Sequence, residues 1–257
     1  MAAFQTLLDY LMVAPPGLPT EETNKTPNTT NDQYNWRQIN SVNVWHEFTY
    51  AHIIQRYGHF LQQVLIESEP MPNSPPEAIK TELMFANSFA IYLQSRLRRA
   101  LRAIFQQLAS QLTTLHLTPL KIGIGDAAQI INNFRPDIAL FQAGSALGSS
   151  PNRCPGDLKV SWKWGSDWKT AEKWTDRTEY AQVLSQVNFY MKQHNARYSF
   201  VLTDTELVPI KRLDANGNLL VARAIPWEVA GPGRLTILLG LWYLGMLGAA
   251  DDDWQLQ

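Results

Sequence analysis

Arg135-Pro136-Asp137-Ile138-Ala139-Leu140-Phe141, followed by Pro155-Gly156-Asp157-Leu158-Lys159-Val160, decides how this chain is read. A Pro-Asp pair opens one apolar run, and a second apolar run carries Asp-x-Lys. Leu158, Val160, Trp162 and Trp164 alternate with Asp157, Lys159, Ser161 and Lys163, so a strand over 158–164 puts Asp157 and Lys159 on one face and the tryptophans on the other. Asp137 begins the neighbouring strand and reaches the same point. Two carboxylates supply oxygen ligands to Mg²⁺ (or Mn²⁺) while water and phosphate fill the remaining positions. Such an ion polarises a phosphoryl group and lowers the pKa of an attacking water. Lys159, a compact cation, stabilises charge that develops there.

Outward from this stretch the pattern is that of an α/β chain. Apolar positions recur at helical spacing from about Ser41 to Ile66 and again from about Glu77 to Leu112, with the Pro-rich segment 68–76 between them. Residues 14–35 are rich in Pro, Thr and Asn and read as a loop. Strands are expected over Leu120–Ile124, Ile138–Gln142 and Tyr198–Thr203. Leu207–Leu213 and Leu219–Ile225 flank Asp214-Ala215-Asn216-Gly217, a hairpin turn signal. Asp176 with Glu179 resembles a capping box opening a helix that runs to about His194. A last helix spans roughly Leu235 to Ala249. The expected architecture is a mixed central sheet flanked by helices over 77–257, with an N-terminal helical extension over 1–76 and a C-terminal helix.

Pro136-Asp137 followed by Asp157-Leu158-Lys159 resembles the signature of the PD-(D/E)XK nuclease superfamily. Gln186-Val187-Asn188-Phe189-Tyr190 resembles the Gln-x-x-x-Tyr motif of its RecB-like and lambda-exonuclease-like branch. With Tyr198–Glu206 and Ile225-Pro226-Trp227-Glu228 added, the chain is similar to a group of fungal PD-(D/E)XK nuclease-like proteins over about residues 77–250. The resemblance implies a restriction-endonuclease-like core and hydrolysis of DNA or RNA with Mg²⁺ or Mn²⁺. It makes Asp137 and Asp157 metal ligands and Lys159 catalytic, with Gln186 orienting phosphate or water and Tyr190 contacting phosphate. RecB-like enzymes add an upstream Glu on a helix. Glu82 is the candidate for that ligand, with Glu77 and Glu47 behind it. The alternative is a nuclease-like scaffold without nuclease activity, a binding module or one recruited to a small-molecule (secondary metabolism) step.

The formal net charge of −1 provides no bulk positive field, so a nucleic-acid groove has to come from local clusters. Lys163, Trp168 and Lys169 interleave basic and aromatic side chains beside the candidate site. Arg96, Arg98, Arg99 and Arg102 form the densest basic run. Cys154, the single cysteine, cannot make an internal disulfide and reads as an incidental thiol. Met1–Met12 lacks the basic start of a signal peptide and Leu235–Leu247 is short for a membrane span. The expectation is therefore an intracellular protein, cytoplasmic or nuclear, with no membrane partner; a homodimer is compatible with it. The sequon Asn28-Thr29-Thr30 then carries little meaning. His46, His52 and His59 lack the spacing of a helical zinc site, and no phosphate loop, dinucleotide fingerprint or triad signature is found.

Overall fold

Ile237 to Ala249 contains no charged residue and every side chain in it is buried, so this helix is apolar all round and has to lie inside the protein. The rest of the molecule is built around it. A computed structural model describes residues 3–21, 27, 28 and 30–256. In chain order come β1 (Phe4–Thr6), α1 (Leu7–Leu11), β2 (Ser41–Val44), α2 (Tyr50–Gln63), β3 (Leu65–Glu67), α3 (Glu82–Phe89) and α4 (Ser95–Gln107). Then follow β4 (Leu120–Ile124), β5 (Ile138–Gln142), β6 (Gly156–Leu158), α5 (Trp174–His194) and β7 (Tyr198–Leu202). The chain closes with β8 (Glu206–Arg212), β9 (Asn218–Val221), β10 (Ile225–Pro226) and α6 (Ile237–Ala249).

An eight-stranded mixed sheet runs in the order β2-β9-β8-β7-β6-β5-β4, with β10 beside β8. β6 and β7 are parallel, joined across α5, and β4, β5 and β6 are antiparallel neighbours. The two faces are covered by different helices. Tyr198, Phe200 and Leu202 of β7 join the core around α4 and α6, while Val201 joins Val183, Val187 and Met191 of α5 on the other side. Alternation on a strand buried on both faces explains why every residue of β7 is apolar or small. Thr236 starts α6, accepting the N–H of Leu239 at 3.1 Å and donating to Leu11 O at 2.5 Å. Gly245 lets α6 approach α4: a Cβ there would lie 2.8 Å from Leu101.

Several expectations need correction. The region 41–66 is not one helix. Ser41–Val44 is strand β2, parallel to β9, and α2 starts only after Thr49 caps the N–H of His52. The helix expected from Glu77 begins at Glu82 behind the Thr81 cap, passes through a π-helical turn at Ala90–Gln94 and ends at Gln107. β6 stops at Leu158, because the N–H groups of Lys163 and Trp164 turn back to Val160 O and Ser161 is held by Asp204. The two tryptophans therefore part: Trp162 packs on the α6 side, while Trp164 stacks on Tyr180 of α5 at 5.8 Å. The capping box does not form, since α5 begins at Trp174 with Lys173 as its cap. Glu179 instead accepts the backbone and side-chain N–H groups of Asn28.

From the first 76 residues, β2 extends the main sheet and α2 packs its Tyr57 edge-on against Trp242 of α6 at 5.6 Å. Of the loop expected over 14–35, residues 22–26 and 29 lie outside the described residues, as do Thr29 of the sequon and Met1 of the N-terminal stretch. Cys154 is fully buried, and burial pushes its thiol pKa up. Among the described residues, no helix is long and apolar enough to cross a membrane.

Candidate active site

The first carboxylate is tied directly to the strand carrying the second. Asp137, exposed just before β5, accepts the N–H of Leu158 on Oδ2 at 2.7 Å. Its carbonyl accepts the N–H of Gly125 at 2.9 Å, and a Cβ on Gly125 would lie 1.7 Å from Pro136 O. The Pro-Asp pair thus sits against a backbone that only glycine allows. β5 and β6 share one paired position, Ile138 with Gly156. Beyond it the fully buried Asn152 replaces the ladder: its side chain accepts the N–H of Leu140 at 3.1 Å and donates to Ile138 O at 3.0 Å.

Asp157 and Lys159 follow on β6 and just after it, and both are interior: 1% and 6% exposed. Lys159 Nζ lies 2.7 Å from Asp157 Oδ2. Burial raises the Asp157 carboxyl to about 7; the Lys159 ammonium opposes the shift, and Asp137 and Glu82 add to it. Burial pulls Lys159 down, yet the combined pull of Asp157, Asp137 and Glu82 holds it above its ordinary value. Taking both ions out of water costs several kcal/mol each before their attraction offsets it. A fold seldom retains such a pair for stability alone.

Helix α5 supplies the next residues. Gln186 and Tyr190 stand one turn apart, both buried, and Gln186 Nε2 donates to Tyr190 Oη at 3.0 Å. Burial first, and then the negative charge of Asp157, raise the Tyr190 pKa. Glu82, the first residue of α3, is half-exposed and lies 3.5 Å from Lys163 Nζ. Asp137, Asp157, Lys159, Glu82, Gln186, Tyr190 and Lys163 thus converge from five parts of the chain.

The remaining residues expected to bind nucleic acid do not join them. Arg96 is 2% exposed and donates to Glu69 O at 2.7 Å while lying over the Tyr10 ring at 4.2 Å. Arg99 pairs with the Glu69 carboxylate. Both guanidiniums face α1 and the segment after β3, because the apolar stripe of α4 turns that side inward. Arg98 caps the open edge of β4, donating to Ile122 O at 3.2 Å. Lys169 caps the other edge at Val42 O, 3.0 Å away, and Trp168 packs half-buried beside the α5 core.

Tyr34 was not singled out from the sequence. It is 3% exposed, with its ring 5.5 Å from Phe189 and 6.4 Å from Phe134. Its hydroxyl pKa is raised by burial, then by the charge of Asp157, with Lys159 opposing. The only signal in the sequence is an aromatic residue within a polar loop.

The donor set can be tested for a divalent ion. Among the described residues no three His, Cys, Asp or Glu side chains gather as a metal-holding group. Mg²⁺, however, is commonly held by one or two carboxylates together with water and substrate phosphate. Asp157 Oδ2 is a buried acceptor that meets Lys159 as an ion pair but has no hydrogen bond of proper geometry. With the exposed Asp137 carboxylate beside it, the pair of hard oxygen donors fits Mg²⁺ or Mn²⁺. No family model, curated protein or solved structure matches this chain.

Proposed function

We propose that the protein hydrolyses phosphodiester bonds of nucleic acid in a metal-dependent reaction of the PD-(D/E)XK type. The observation that carries this reading is the buried Asp157–Lys159 pair at 2.7 Å, with Asp137 and Glu82 acting on the same lysine. The order α4-β4-β5-β6-α5-β7, with β6 and β7 parallel across α5, supports a restriction-endonuclease-like core. Asp137 and Asp157 would hold Mg²⁺ or Mn²⁺, while Glu82, paired with Lys163, would add negative charge nearby.

A bound divalent ion supplies positive charge that polarises the phosphoryl group and lowers the pKa of the attacking water. The chain's own groups do the rest. Lys159, kept protonated by its carboxylate neighbours, faces the charge that grows on the phosphate oxygens. Gln186, its amide fixed by Tyr190, orients the phosphate or the water. Burial excludes bulk solvent, so each of these charges acts at short range in a weakly screening medium.

The test is cleavage of labelled DNA and RNA, single- and double-stranded, with Mg²⁺, with Mn²⁺ and with chelator. Cleavage that requires the metal is expected. Cleavage that survives chelation, or none on any substrate, refutes the proposal. A second reading, a nuclease-like scaffold that binds a small molecule, is favoured by one observation: the aromatic rings of Tyr34, Phe134, Phe189 and Tyr190 crowd the site. Binding of a small ligand by a protein that cleaves nothing would support it.

A further inference from the structure

Tyr34, whose hydroxyl feels both charges of the Asp157–Lys159 pair, belongs to a segment remote in sequence. Residues 30–38 run across α5 and are fastened at several points. The N–H of Trp36 donates to Gln182 Oε1 at 3.0 Å, and the Trp36 ring meets Trp174 edge-on at 6.1 Å. Asn28, just before this segment, donates to Lys163 O at 3.0 Å and to Glu179. Between these fastenings Tyr34 rests on the Phe134–Phe189 pair, whose rings are 4.7 Å apart. In this closed arrangement Asp157, Lys159, Gln186 and Tyr190 are all buried, as Tyr34 is.

Every fastening is polar or rim-packed. Tyr34 lies outside the main hydrophobic clusters, and no side chain of the short turn Trp36–Gln38 that presses on α5 is itself buried. Such a segment opens at the low end of a protein's range of local stabilities. Its departure would bare faces of Phe134 and Phe189, the latter packed on Tyr190 of the site at 6.3 Å. Flat apolar rings next to a cation form the kind of surface on which unpaired bases stack. A stacked base pair within a duplex cannot present a ring face to them.

We propose that residues 30–38 are a strap that closes the site, and that an unpaired nucleotide strand enters by displacing Tyr34 from Phe134 and Phe189. This rests on the phosphodiesterase reading and adds to it a substrate class and a gate.

The experiment has two readouts, neither of which requires hydrolysis. The first is hydroxyl-radical footprinting, read by peptide mass spectrometry as oxidation of Tyr190. In the wild type Tyr190 stays protected while the exposed Phe4 reacts. Tyr34→Ala, and Trp36→Ala acting at the far end of the strap, raise Tyr190 oxidation at least about tenfold, whereas Tyr34→Phe, which keeps the ring, does not. The second readout is fluorescence anisotropy with labelled oligothymidine and with a duplex of equal length, in Ca²⁺. Tyr34→Ala tightens single-strand binding about tenfold and leaves duplex binding weak. Unchanged protection in both alanine variants, or a duplex bound as tightly as the single strand, overturns the proposal. A protein that opens and binds yet never cleaves refutes the reaction proposed above and leaves the strap standing.

Discussion

Removing Lys159 alone should harm the fold more than removing the whole ion pair. Asp157 titrates from 3.8 unfolded to about 7 folded because it is buried. A raised acid pKa means that the native state holds a proton that the unfolded chain releases. Stability therefore falls as pH climbs from about 4 to about 7, by at most about 4 kcal/mol at 1.36 kcal/mol per unit. Lys159 is the one group that opposes this shift. Lys159→Met is thus expected to cost about 3 kcal/mol at pH 8, where Asp157 must either stay charged without its partner or take up a proton from a dilute supply. At pH 5 the cost shrinks, because Asp157 carries its proton. Asp157→Val with Lys159→Met removes both ions from a dry interior and should lie within about 1 kcal/mol of the wild type, or above it. Urea unfolding followed by tryptophan fluorescence at pH 5 and pH 8 measures all three proteins. If the double variant loses as much as Lys159→Met at pH 8, the pair is structural cement and the argument from its burial fails.

His194 offers a second pH-dependent test. Burial lowers it to about 4 from 6.5, so the unfolded chain gains a proton first. Stability is complete above about pH 6.5 and falls by about 3 kcal/mol towards pH 4; calorimetry should find this slope reduced in His194→Gln. Asn152→Ala leaves Leu140 N–H and Ile138 O buried without partners and should lower urea stability by about 3 kcal/mol. Gly125→Ala would drive a Cβ to within 1.7 Å of Pro136 O. Circular dichroism melting is expected to show a loss of more than about 3 kcal/mol, and Asp137 would no longer latch onto β6.

What could be read from the sequence depended on whether an element's signal was local. The β8–β9 hairpin was legible because Asp214 organises its own turn, accepting the N–H groups of Asn216 and Asn218. β7 and α6 were legible because buried elements must be apolar throughout. β2 was not: it is four residues long, half-exposed, and defined by a partner strand near the other end of the chain. The alternation after Asp157 pointed to a longer strand, yet β6 ends where Asp204, outside the pattern, takes hold of Ser161. Glu82 was chosen because the resemblance asks for a Glu on the helix before the strands, while the Thr81 cap that makes it the first residue of α3 was not read. Tyr34 had no periodicity around it, and the burial of Arg96 depends on Tyr10 and Glu69 from elsewhere in the chain.

The most direct test of the phosphodiesterase account is single-turnover cleavage of a short labelled strand by wild type and by Lys159→Met. It should be run in Mg²⁺ at pH 8 and at a temperature where melting curves show both folded. Losing one preorganised charge at the reacting phosphate should lower the rate by at least about 10²-fold, with chelator abolishing what remains in both. Equal rates in the two proteins would contradict the account.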